Sequence, residues 1–140
     1  MTRIPAPFLA VAAAALLCAR TIAAQHSGGG SSVRSARSGV YTAAQAARGR
    51  DLYALQCRSC HTPESHTGVI FDTWWGGKLL SDLFEYVQER MPKNEPGSLT
   101  PQEYADVVAY LLRMNALPTG GEELSTDVSA LSKIRIDKAK

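Results

Sequence analysis

Sulfur and imidazole side chains are concentrated in one short stretch of this chain, and that cluster restricts the fold more than any other feature. Residues 56–61 read QCRSCH, so Cys57 and Cys60 lie three positions apart and His61 follows directly. The chain has only one other cysteine, Cys18, and two other histidines. Such a cluster is compatible with a disulfide, a zinc site, a thiol–disulfide redox centre or a covalently attached haem.

The first 24 residues are typical of an export signal. Arg3 is followed by an uncharged apolar run at residues 8–19, and Ala24 supplies the small residue that a signal peptidase needs. The run is shorter than the roughly 20 residues of a membrane-spanning helix. We therefore expect a signal peptide at residues 1–24 and a periplasmic or otherwise exported protein with no membrane span after cleavage. Cleavage also removes Cys18.

The remaining chain is close to neutral. Cleavage takes away two of the 15 basic residues and none of the 13 acidic ones. This balance provides no basic face for nucleic acid, so we expect no nucleic-acid partner. We also expect a monomer in solution. Residues 25–39 are polar and rich in glycine and serine, which predicts a flexible linker. A folded domain is expected at 40–117, followed by a C-terminal tail at 118–140 with enough apolar residues to pack on it.

Three helices are predicted in that domain. Thr42 and Gln45 match a capping box before a proline-free stretch at 43–56. Apolar residues at helical spacing indicate a second helix at about 81–90, ended by the Met91-Pro92 pair. The third helix begins at Thr100-Pro101, and its predicted apolar face holds Tyr104, Val107, Val108 and Leu111. No strand pair is evident, so the predicted fold class is all-α.

Three short helices make a small core, and such a chain usually needs a covalent cross-link, a metal or a bound group to stabilise it. A structural zinc site needs four protein ligands, but only Cys57, Cys60 and His61 cluster. A thioredoxin-like redox pair belongs beside a βαβ pattern, which is absent. Haem attachment requires two thiols at this spacing and an adjacent imidazole for the iron. The sequence therefore favours one covalent haem c on Cys57 and Cys60, with His61 bound to iron.

Three side chains compete for the second iron position. His66 is only five residues from His61, too close to pass around the porphyrin edge, and is expected to be solvated in a loop like His26 in the linker. Met114 fits the apolar face of the third helix and is predicted to be core. Met91 lies at a helix end before Pro92, and we predict it as the second ligand.

The two tryptophans lie between the predicted ligands. Trp74 and Trp75 are expected in the core or in the wall of the haem site. A buried indole N–H seeks a partner, so Trp75 is also a candidate for contact with a haem propionate.

The chain resembles small class I bacterial cytochromes c over about residues 41–117. The matching features are a helix with Gly49 and Tyr53, then CRSCH, an RMP segment at 90–92 and AYLL at 109–112. The resemblance implies a cytochrome c-like fold with three main helices around one haem, the first and last crossing at Gly49 against an aromatic such as Tyr110. The TPESHTG stretch departs from the glycine-rich loop of many relatives. That leaves the carbonyl that orients His61 unidentified, with Pro63 as a candidate.

The resemblance implies a one-electron carrier rather than an enzyme. The stretch PGSLTPQEYADVVAYLL is similar to cytochromes found with quinone-cofactor (PQQ) dehydrogenases. Redox partner proteins are therefore expected, with a dehydrogenase as donor and an oxidase or another cytochrome as acceptor. A cytochrome subunit of a PQQ-type dehydrogenase and a five-coordinate haem sensor or enzyme stay open as alternatives.

Overall fold

Helices dominate the part of the chain that the computed structural model describes, residues 32–138. The predicted signal peptide and the first residues of the predicted linker lie outside it. The all-α class is confirmed. Within residues 32–138, no helix is long and apolar enough to cross a membrane. The elements in chain order are β1 (Arg34–Ser35), α1 (Ala43–Gln56), α2 (Gly68–Trp75), α3 (Leu80–Arg90), α4 (Pro101–Met114), α5 (Val128–Leu131) and β2 (Ile134–Arg135).

The centre of the fold is the crossing of α1 and α4. Gly49 permits it, because a Cβ at this position would collide with the backbone carbonyl of Asp106 and lie 3.0 Å from Cβ of Tyr110. Beside the crossing, Arg48 forms an ion pair with Asp106 at 2.7 Å. The crossing at Gly49 against Tyr110, which the resemblance implied, is therefore confirmed.

Local capping explains where the two long helices begin. Thr42 accepts a hydrogen bond from the Gln45 N–H at 3.0 Å, and α1 starts at the next residue. At α4, Thr100 accepts from the Glu103 N–H, and the Glu103 carboxylate accepts from the Thr100 N–H at 2.7 Å. These reciprocal bonds satisfy amide groups that the first helical turn leaves without partners.

The second helix, α2, was not predicted. It has eight residues, GVIFDTWW, and only Phe71 among them is buried. Five of its eight residues are apolar and they spread over most of its circumference, so no helical period marks a buried face. Val69 and Trp74 are 82% and 64% exposed. The expectation that Trp74 belongs to the core or to a cofactor wall is therefore wrong.

The predicted linker ends earlier than residue 39. Ala36 is completely buried, and β1 pairs in parallel with β2. The Ser35 hydroxyl and the Arg37 N–H both donate to the Asp137 carboxylate, at 2.6 and 3.2 Å. Composition gave no sign of this order, because Ser35 and its partner Asp137 are 102 residues apart in sequence.

The C-terminal tail packs on the domain and belongs to its core. The Gln45 side chain, buried in α1, accepts from the Leu124 N–H at 2.6 Å and donates to the Leu124 carbonyl at 3.1 Å. Farther along, Ile136 exchanges backbone hydrogen bonds with Gly77 and Lys78. The tail therefore holds the turn between α2 and α3. Its buried apolar residues are Leu124, Leu131, Ile134 and Ile136.

Candidate functional site

The CRSCH turn leaves directly from the C-terminal end of α1. The Cys57 N–H donates to the Tyr53 carbonyl at 3.0 Å, and the N–H groups of Cys60 and His61 both donate to the Cys57 carbonyl. This tight turn displays the three side chains on one cleft. Both thiols are free, Cys57 being half-buried and Cys60 exposed. Burial raises the pKa of the Cys57 thiol.

The cleft that receives these side chains is largely apolar. The space between its atoms amounts to about 680 Å³, part of which is open to solvent. Cys57, Cys60, His61 and Met91 all line it. The surrounding wall is made of apolar and aromatic side chains from α1, α2, α3 and α4, namely Tyr53, Trp75, Leu83, Tyr86, Val87, Val107 and Leu111.

Met91 enters the cleft from a fixed backbone. It terminates α3, and its N–H donates to the Val87 carbonyl at 3.0 Å. Its carbonyl accepts from the hydroxyl of Tyr104, a completely buried residue of α4, at 2.7 Å. Met114 packs against the core and does not line this cleft. Of the two methionines, the structure therefore brings Met91 to the cleft that His61 lines.

His66 also lines the cleft, although it was expected to be solvated. Its ring centroid lies 4.6 Å from that of His61 and 6.0 Å from that of Tyr53. Burial, and then the neighbouring His61, lower the pKa of His66. The expectation of a solvated loop residue is therefore wrong. No local pattern could have shown this, because the packing depends on how residues 62–67 fold back. His26 lies outside the described residues.

Trp75 lies in the cleft wall. Its ring centroid is 5.3 Å from that of Tyr86, and the Lys78 ammonium lies 5.0 Å from the Trp75 ring. This location agrees with the wall assignment, while the propionate contact stays a prediction. Within residues 32–138, no group of three or more His, Cys, Asp or Glu side chains could hold a metal ion, so this region offers no zinc site of that kind.

The stretch from α1 to α4 also matches a known family. Residues 44–111 match the family model described as cytochrome C oxidase, cbb3-type, subunit III. The matched residues form a class I cytochrome c domain. Comparisons with curated proteins and with solved structures found no match.

A cytochrome c domain implies haem, and the cleft fits that group. Two thiols lie at the spacing used for the haem vinyl groups, with an imidazole next to them. The same cleft offers a thioether at Met91 and an apolar wall for a flat, hydrophobic ring. If a haem binds here, Cys57 and Cys60 would attach it, and His61 and Met91 would hold its iron.

Proposed function

We propose that this protein is an exported one-electron carrier, with one haem bound covalently to Cys57 and Cys60 and its iron held by His61 and Met91. The observation that carries the proposal is the single cleft lined by these four side chains. When bound, the haem supplies a one-electron exchange between Fe(II) and Fe(III). Residues 44–111, the c-type cytochrome domain, give the electron-transfer role independent support.

The chain contributes mainly by holding ligands and excluding water. The backbone of Met91 is bonded at both its N–H and its carbonyl, which fixes the point from which its side chain reaches the cleft. A thioether ligand raises the reduction potential, because soft sulfur favours the reduced iron. Apolar neighbours such as Leu83 and Val107 act in the same direction, since they disfavour the more charged oxidised state.

The rim of the cleft supports transient docking of a redox partner. Ile70, Trp74 and Tyr86 are 49%, 64% and 48% exposed and line one groove with His66 and Trp75, which also line the cleft. An exposed apolar surface of this kind is typical of an interaction site. Because the exported chain is close to neutral, apolar contact rather than charge steering would bring the partner to the haem.

A stable place in a larger redox complex is the second candidate. The matched family is described as a subunit of an oxidase, which favours a cytochrome subunit that passes electrons to a partner chain. Co-purification of a stoichiometric partner from the native membrane or periplasm would support this candidate over a free carrier. Association with a PQQ dehydrogenase stays a prediction from sequence.

The ligand assignment is tested by the far-red sulfur–iron charge-transfer band of the oxidised protein. Met91→Ala is expected to abolish the band, because it removes the only cleft-lining thioether among the described residues. Met114→Ala is the matched control and should keep the band. A band that survives in Met91→Ala and disappears in Met114→Ala would overturn the assignment.

A further inference from the structure

The segment that follows the CRSCH turn is fastened to the end of α4 by one side chain, Asn115. Its amide nitrogen donates to the carbonyls of His66 and Leu111, at 2.9 and 2.8 Å. Its amide oxygen accepts from the Gly68 N–H at 3.0 Å. One half-buried carboxamide therefore bonds three backbone groups and joins α4 to the start of α2.

The fastened segment carries the ring that packs on His61. At its beginning, the Tyr53 hydroxyl donates to the Thr62 carbonyl at 3.3 Å. At its other end, Asn115 holds His66 and Gly68, and the His66 ring lies 4.6 Å from the His61 ring. The placement of His66 against His61 therefore depends on the bonds from Asn115.

Within the described residues the His61 side chain makes no hydrogen bond, and its ring packs against the His66 ring. Iron-bound histidines are ordinarily oriented by a hydrogen bond to a neighbouring group. We propose that Asn115 is a positioning residue, which acts through His66 to fix the orientation of His61. The inference rests on the proposed ligation of iron by His61, and it does not depend on Met91.

The first test measures the reduction potential of the haem-loaded protein. Asn115→Ala removes all three bonds, and Asn115→Asp keeps only the acceptor for the Gly68 N–H. Both variants are expected to lower the reduction potential. A loosened segment admits water, and this water stabilises the more charged oxidised iron. Gln45→Ala is the matched control. It also loses two bonds to backbone but lies outside the cleft lining, so stability should fall without a shift in potential.

A double-mutant comparison separates positioning from a merely structural role. His66→Ala removes the ring but keeps the carbonyl that Asn115 binds. If Asn115 acts through His66, the double variant should shift the potential no further than His66→Ala alone. Fully additive shifts, or a wild-type potential in Asn115→Ala, would overturn the inference.

Hydrogen exchange in the wild-type protein tests the inference even if the variants do not fold. The Gly68 N–H is expected to be protected from hydrogen exchange in the reduced wild type, and exchange at the rate of a free loop would refute the fastening. The proposed function and the proposed role of Asn115 can be refuted independently. A far-red band that persists in Met91→Ala removes the proposed ligand and leaves Asn115 untouched, whereas an unchanged potential in Asn115→Ala leaves the carrier function standing.

Discussion

Tyr104→Phe tests how the protein holds Met91 at the cleft. The hydroxyl of Tyr104 donates to the Met91 carbonyl at 2.7 Å and accepts from the Leu99 N–H at 3.4 Å. The residue is completely buried, so water cannot readily replace the lost hydroxyl. The substitution keeps the ring and removes only these two bonds.

The expected cost follows from the groups left without a partner. A buried carbonyl that loses its donor costs about 1–3 kcal/mol, and the longer bond to Leu99 adds little. The free energy of unfolding should therefore fall by about 1–3 kcal/mol. In a domain of this size, each kcal/mol corresponds to a drop of about 4–8 °C in Tm. Because Met91 is loosened as well, the far-red band should disappear at a lower denaturant concentration than the helical signal does.

Denaturation of the oxidised protein, followed by circular dichroism and by the far-red band, gives both quantities. Tyr110→Phe is the matched control on the same helix, because its hydroxyl makes no hydrogen bond with the described residues. Its effect should stay within about 0.5 kcal/mol. Equal effects of the two substitutions, or a band that is lost together with the helices in Tyr104→Phe, would refute the role given to Tyr104.

Three further predictions concern the cofactor, the N-terminal segment and pH. If Cys57 and Cys60 bind the haem covalently, as proposed, acidified organic solvent should leave it on the protein, and extractable haem would contradict this. Removal of residues 25–39 should lower Tm, because Ala36 is buried and β1 pairs with β2, and an unchanged Tm would disprove that packing. Burial raises the pKa of Tyr41, so the folded state keeps a proton that the unfolded state loses. The free energy of unfolding should therefore fall as pH rises above the ordinary tyrosine pKa of 10.0, and a fall undiminished in Tyr41→Phe would count against this group.

The main helices were predictable because their signals are local. The capping residues Thr42 and Thr100 mark the starts of α1 and α4, and Met91-Pro92 marks the end of α3. The short helix α2 carries its five apolar residues over most of its circumference, so it has no clear period to detect. The pairing of β1 with β2 joins opposite ends of the described chain, which composition cannot report.

The residues of the candidate site likewise divide into those with a local sequence signal and those placed by long-range contacts. Fixed spacing predicted Cys57, Cys60 and His61, and the position before Pro92 predicted Met91; all four line one cleft. The packing of His66 and its attachment to Asn115 join residues 49 apart in sequence. Such contacts arise only when α4 folds across α1, so no sequence pattern predicts them.

Carbon monoxide binding to the reduced wild-type protein shows whether both sides of the haem iron are occupied. A carrier whose iron is held by both His61 and Met91 offers no open position, so the absorption spectrum should not change when the gas is added. Met91→Ala should then bind the gas readily, which shows that the assay detects an open position. Prompt binding by the wild type would contradict ligation by both His61 and Met91 and favour a five-coordinate haem.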